Sequence, residues 1–187
     1  LRLAIFAAIS YCPYIFAFHG GNLIPDASNW LSLNVIYTIL IGLLAIRARH
    51  ELQNPVLKIV VILLLAVCSV PGDWGVVGFT IMLSFDYFHG NFKNQAVAYV
   101  FIVLFQHGLF EYLTYPLITY VAMHQWIFLD AGTYWILSTE LGMFLPIILL
   151  AFYRGQKGRG GKLAKWGFYL FYPAHMLLLG WILYDLL

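Results

Sequence analysis

Six histidines and eight acids stand in a chain of 187 residues that is 63% hydrophobic and only 10% charged. Each ionisable group inside an apolar run is therefore a place where chemistry is expected. His175 lies in the closing apolar run, two residues after Pro173. A proline lacks the N–H that would bond the carbonyl four residues back, at Tyr169, so an imidazole stands beside a freed backbone acceptor. That arrangement fits a general base and, equally, a hydrogen-bonded tie between two helices. Glu140 follows Ser138 and Thr139 in another apolar run, where it must be paired, protonated or turned to a water-filled cleft. His107 and Glu111 are four apart, so on a helix they share a face and the carboxylate can hold the imidazole in one tautomer. The same pair also fits a structural or solvated role. Asn34 and Thr38 repeat that spacing with uncharged groups, which suits hydrogen bonding into a neighbouring helix.

The cations are concentrated differently. Arg154, Lys157, Arg159, Lys162 and Lys165 share one glycine-rich stretch. It serves as a topology signal, and it also suits a clamp for the phosphates of an anionic donor or a lipid headgroup. Nothing else supports nucleic-acid binding. No two or three histidines stand at ligand spacing, so no metal is expected. Cys12 and Cys68, each in an apolar run, make no disulfide framework and are expected to pack inertly.

The elements that must position these groups follow from hydropathy. With a mean hydropathy of +0.84, apolar surface has to face a bilayer rather than water. About seven runs approach the ~17 to 20 residues that a helical span needs: residues 2–18, 30–46, 55–70, 74–88, 93–112, 133–153 and 166–187. Pro71, Gly72 and Asp73 form a turn between the third and fourth. Residues 113–130 hold Pro116 and many aromatic and polar groups, which suits an interfacial or re-entrant segment. Alternate connections then hold all ten Lys and Arg residues, while the others hold Asp26, Asp73, Glu111, Asp130 and Asp185. By the positive-inside rule the basic set faces the cytosol and Leu187 lies outside. On that map His175 is ~14 Å deep.

The expected fold is thus an all-α polytopic transmembrane helix bundle, one integral-membrane domain over residues 1–187. It is expected in a bacterial cytoplasmic membrane. The chain opens at Leu1 in mid-pattern, so preceding helices are expected upstream.

Several strings carry a family resemblance. Lys165-Trp-Gly-Phe-Tyr-Leu-Phe-Tyr-Pro-Ala-His-Met176, Leu33-Asn-Val-Ile-Tyr-Thr-Ile-Leu-Ile-Gly-Leu-Leu44 and Asp73-Trp-Gly-Val-Val-Gly78 resemble the TraX family of membrane proteins. Trp74 stands where that family more often has tyrosine. The family is named after the conjugation protein implicated in N-terminal acetylation of pilin, and it is similar to the larger group of integral-membrane acyltransferases. The resemblance implies transfer of an acetyl group from acyl-CoA to an amine acceptor, such as a pilin N-terminus. His175 would be the base, with Glu140, His107 and Glu111 as further catalytic residues. The cation-rich stretch would hold the donor. Asn34, Thr38, Asp73 and Tyr172 would lie on the acceptor side or support it. A transporter or channel subunit relaying protons through the same groups is the competing expectation. The family's Asp-His pair and Gly-Arg string are expected in the upstream helices.

Overall fold

The structure is a computed structural model. It describes residues 2–19, 21, 23–27, 29–105, 109–124, 132, 141–152 and 161–186, with backbone alone for 109–113, 162–165, 168 and 185–186. In chain order the helices are α1 (Arg2–Ile9), α2 (Tyr11–Phe18), α3 (Val35–Glu51), α4 (Pro55–Ser69), α5 (Gly75–Tyr87), α6 (Phe92–Phe105), α7 (Leu109–Met123), α8 (Leu145–Phe152) and α9 (Lys162–Trp181). A 3₁₀ turn, Leu141–Phe144, leads into α8, and a π-helical turn, Ile182–Leu186, follows α9. The all-helical class is as expected: among the described residues the only β pairing is an isolated bridge between Leu33 and Gly72.

Two compact units share the chain: residues 1–83 with 157–187, and residues 84–156. In the first, the run expected as one helix over 2–18 is two. Pro13 has no N–H for the Ile9 carbonyl, and the helix is interrupted at Ser10. The helix expected from residue 30 begins at Val35 instead, because Asn34 caps it through a hydrogen bond from the Tyr37 N–H. It then continues through Arg47 and Arg49, its exposed end held by an Arg47–Glu51 ion pair of 2.8 Å. Asn54 likewise caps α4, accepting from the Val56 and Leu57 N–H groups ahead of Pro55 at the first helical position. The turn read at Pro71-Gly72-Asp73 falls between α4 and α5.

Packing in this unit relies on small residues. Ile41, Ala45 and Phe79 form a buried cluster, with Gly42 against the Met82 sulfur. Along α9, Tyr169 stacks on Phe6 of α1 at 4.5 Å, and Gly180 leaves room for the Phe16 ring of α2.

In the second unit the Tyr99 hydroxyl donates to the Met143 carbonyl at 2.7 Å, and Gln95 donates to the Phe85 carbonyl at 3.0 Å. Phe85, Tyr99, Pro146, Ile147, Leu149 and Leu150 line an apolar cavity of about 260 Å³. Part of the segment read as interfacial lies in α7, which passes through Pro116. The Thr119 hydroxyl donates to the Tyr115 and Pro116 carbonyls on this helix.

No helix among the described residues is long and apolar enough to cross a membrane. Proline and serine break the long runs, and α9, with 20 residues, carries Lys162, Lys165, Pro173 and His175. Large apolar side chains nevertheless stand exposed. Along α4, Val56, Val60, Leu63 and Val67 recur at helical spacing on one open face. Cys12 and Cys68 are free and exposed as well.

Candidate functional site

The turn after α4 is fastened to the start of α3. The Leu33 N–H donates to the Pro71 carbonyl at 2.8 Å, and Gly72 lies flat against Thr38. This places Asp73 in the wall of an open cavity of about 570 Å³, which Tyr14, His19, Ser32 and Gly72 also line. The Tyr14 hydroxyl donates to Asp73 Oδ1 at 3.2 Å across 59 positions of sequence. Tyr14 comes from α2 and is only 6% exposed, whereas the Asp73 carboxylate is open. Asp73 also acts electrostatically on Tyr172 of α9. The Tyr172 hydroxyl is buried near the first N–H of α3, at Val35, without closing a hydrogen bond of ordinary geometry.

Asn34 and Thr38 lie behind this turn, both almost wholly buried. As its spacing suggested, Asn34 reaches a neighbouring helix: Nδ2 donates to the Ala7 carbonyl at 2.8 Å while Oδ1 caps α3. Thr38 does not; its hydroxyl and that of Ser10 have no partner among the described residues. Asn34→Ala removes a cap and an interhelical bond together and is expected to cost about 2 kcal/mol. Ser10→Ala deletes an unsatisfied hydroxyl and should be neutral or stabilising. Urea unfolding of the two variants in matched detergent checks the contrast, and equal losses would contradict it.

His175, half-buried on α9, has its Nδ1 2.9 Å from the Phe171 carbonyl one turn back. A carbonyl can only accept, so Nδ1 carries the proton and the neutral ring keeps its lone pair on Nε2. The ring stacks on Phe171 at 4.8 Å and meets Tyr172 edge-on at 5.3 Å. The freed Tyr169 carbonyl is therefore not the partner of this imidazole.

Asp73, Tyr172, Asn34 and Thr38 thus gather in the first unit, with His175 beside Tyr172. His107, Glu140, Arg154, Lys157 and Arg159 lie outside the described residues. Glu111, Lys162 and Lys165 are described by backbone only, on α7 and at the start of α9. Among the described residues no three His, Cys, Asp or Glu side chains cluster as a metal would require. Tyr14 and His19 were not singled out by sequence. A tyrosine in an apolar run and a histidine in a loop look like ordinary interface residues, and only the Asp73 contact distinguishes Tyr14.

The family model described as TraX protein matches residues 1–183. The chain belongs to the TraX family. This TraX-family chain is also 28% identical, over 148 residues, to the probable fimbrial assembly protein FimC, serogroup H1, of Dichelobacter nodosus. That match covers 78% of the chain and 54% of the relative, so the chain spans about half the length of the curated protein it matches. No solved structure matches it.

Proposed function

We propose that this chain is part of an integral-membrane acyltransferase of the TraX type. It moves an acetyl or similar short acyl group from acyl-CoA to the amino terminus of a fimbrial or pilin-like protein. The observation that carries this reading is the His175 bond to Phe171, because it leaves Nε2 as the basic nitrogen of a positioned imidazole. In the step, the acceptor amine nitrogen attacks the thioester carbonyl carbon and passes its proton to Nε2. The C–S bond breaks, the amide forms, and the CoA thiolate leaves and recovers the proton from the imidazolium.

Two further features support this role. The exposed apolar face of α4 suits contact with lipid acyl chains, as does the low charge of the whole chain. At the basic end, Gly161 precedes α9 without a side-chain cap, so the first N–H groups of that helix join Lys162 and Lys165 as phosphate partners. A fimbrial acceptor is suggested by the relative's name and by the family's association with pilin.

The test uses the full-length protein in proteoliposomes with radiolabelled acetyl-CoA and a pilin-like peptide. Label is expected on the peptide's amino terminus. Unlabelled peptide, with proton flux across the vesicle, would overturn the transferase reading in favour of transport.

A further inference from the structure

We propose that the Asp73 cavity is a primary-ammonium site that receives the unmodified amino terminus of a polypeptide. The proposal rests on the acyl-transfer reading and specifies how the acceptor is recognised. A carboxylate is placed at the cavity wall, and its Oδ1 is already bonded to the Tyr14 hydroxyl. That donor is neutral, so it orients the carboxylate without cancelling its charge. The second oxygen, Oδ2, has no partner among the described residues. The Arg47–Glu51 ion pair does not involve Asp73. An exposed anion with one oxygen fixed and one open is arranged to accept N–H donors from a cation.

The rest of the cavity favours a chain terminus over an isolated cation. Leu31, Val70 and Pro71 give it apolar wall, against which the first side chain of a peptide can lie. Its volume, about 570 Å³, is in the range of pockets that enclose small organic ligands. Asp73 is anchored by the bond from Leu33 to Pro71 and by the contact of Gly72 with Thr38. The carboxylate is thereby held before the ligand arrives, which reduces the ordering that binding must supply. Before transfer the ammonium gives up one proton to water, and the free amine that results is the nucleophile of the step above; acetylation leaves a neutral amide, so the reacted terminus has no charge partner and leaves.

Binding is measured on the full-length protein in nanodiscs without acyl-CoA, using one pilin-like peptide with a free amino terminus and its N-acetylated twin. The free peptide is expected to bind at least ~10-fold more tightly, the usual scale for a hydrogen-bonded charge. Asp73→Asn should abolish the difference, whereas Asp73→Glu should keep part of it and so separates lost charge from misfolding. Competition by ethylamine at peptide-like concentrations would retain the ammonium site but assign it to small amines. Equal affinity for the two peptides, or full discrimination by the asparagine variant, overturns the proposal. Discrimination without acyl transfer would sink only the transferase reading. Normal transfer by a variant that no longer discriminates would sink only the ammonium site.

Discussion

Replacing His175 with alanine is expected to lower the turnover of acyl transfer by roughly 10²- to 10⁴-fold, the contribution of a positioned general base. The alanine variant loses Nε2 altogether, while Phe171 keeps its carbonyl in the helix and α9 keeps its contacts through Tyr169 and Gly180. The protein should therefore still fold and bind its donor, and the half-saturating acyl-CoA concentration should change little. Lys162→Gln with Lys165→Gln should do the opposite, raising that concentration with turnover nearly intact, because phosphate contacts are made equally in the ground and transition states. Single-turnover transfer and saturation curves on full-length protein separate the two outcomes. Near-normal turnover in His175→Ala would remove the base from this role, and a turnover defect confined to the lysine variant would reverse the two assignments.

What sequence makes legible here is what acts locally. Pro71, Gly72 and Asp73 mark a turn because proline and glycine end helices whatever surrounds them, and the turn stands where it was expected. Asn34 could be read as a polar tie between helices, and it is one, although its role as the cap of α3 moves the helix start to Val35. Pro13 carried the information that the first run would break, but hydropathy averages over a single missing N–H and reports a continuous segment.

Contacts made across the chain are different in kind. Nothing near Tyr14 marks it as the partner of a residue 59 positions away, since a tyrosine in an apolar run has the same local signature whether its hydroxyl meets lipid headgroups, water or Asp73. His175 falls between these cases. Its position near Pro173 drew attention to the Tyr169 carbonyl, yet the acceptor is Phe171, which the four-residue helical spacing places directly beneath the ring. The freed carbonyl identified the right neighbourhood, and the rotamer selected the atom.

Gly72→Val is expected to destabilise the protein by about 3 kcal/mol, near the upper end of what overpacking costs. A Cβ at this position would run into the Thr38 hydroxyl and lie 3.1 Å from the Ser69 carbonyl and 3.3 Å from the Tyr37 ring. The Ser69 oxygen is backbone and already accepts the Gly72 N–H at 2.9 Å, so it cannot swing aside as a long side chain would. Relief must come from moving the turn away from α3, which pulls on the Leu33 bond to Pro71 and on the carboxylate that follows it. Two comparisons test that cause. Gly142→Ala, where an added Cβ meets nothing within 4 Å, should change stability by no more than about 0.5 kcal/mol. Thr38→Ala removes the hydroxyl in the way, and the double variant should recover part of the loss, a non-additivity expected only of residues in contact. Denaturant unfolding of the parent and the four variants in one detergent measures both. Strict additivity of the Gly72 and Thr38 changes, or a Gly72→Val protein as stable as the parent, would mean that the turn does not rest on α3 and that Asp73 is not held in place by that contact.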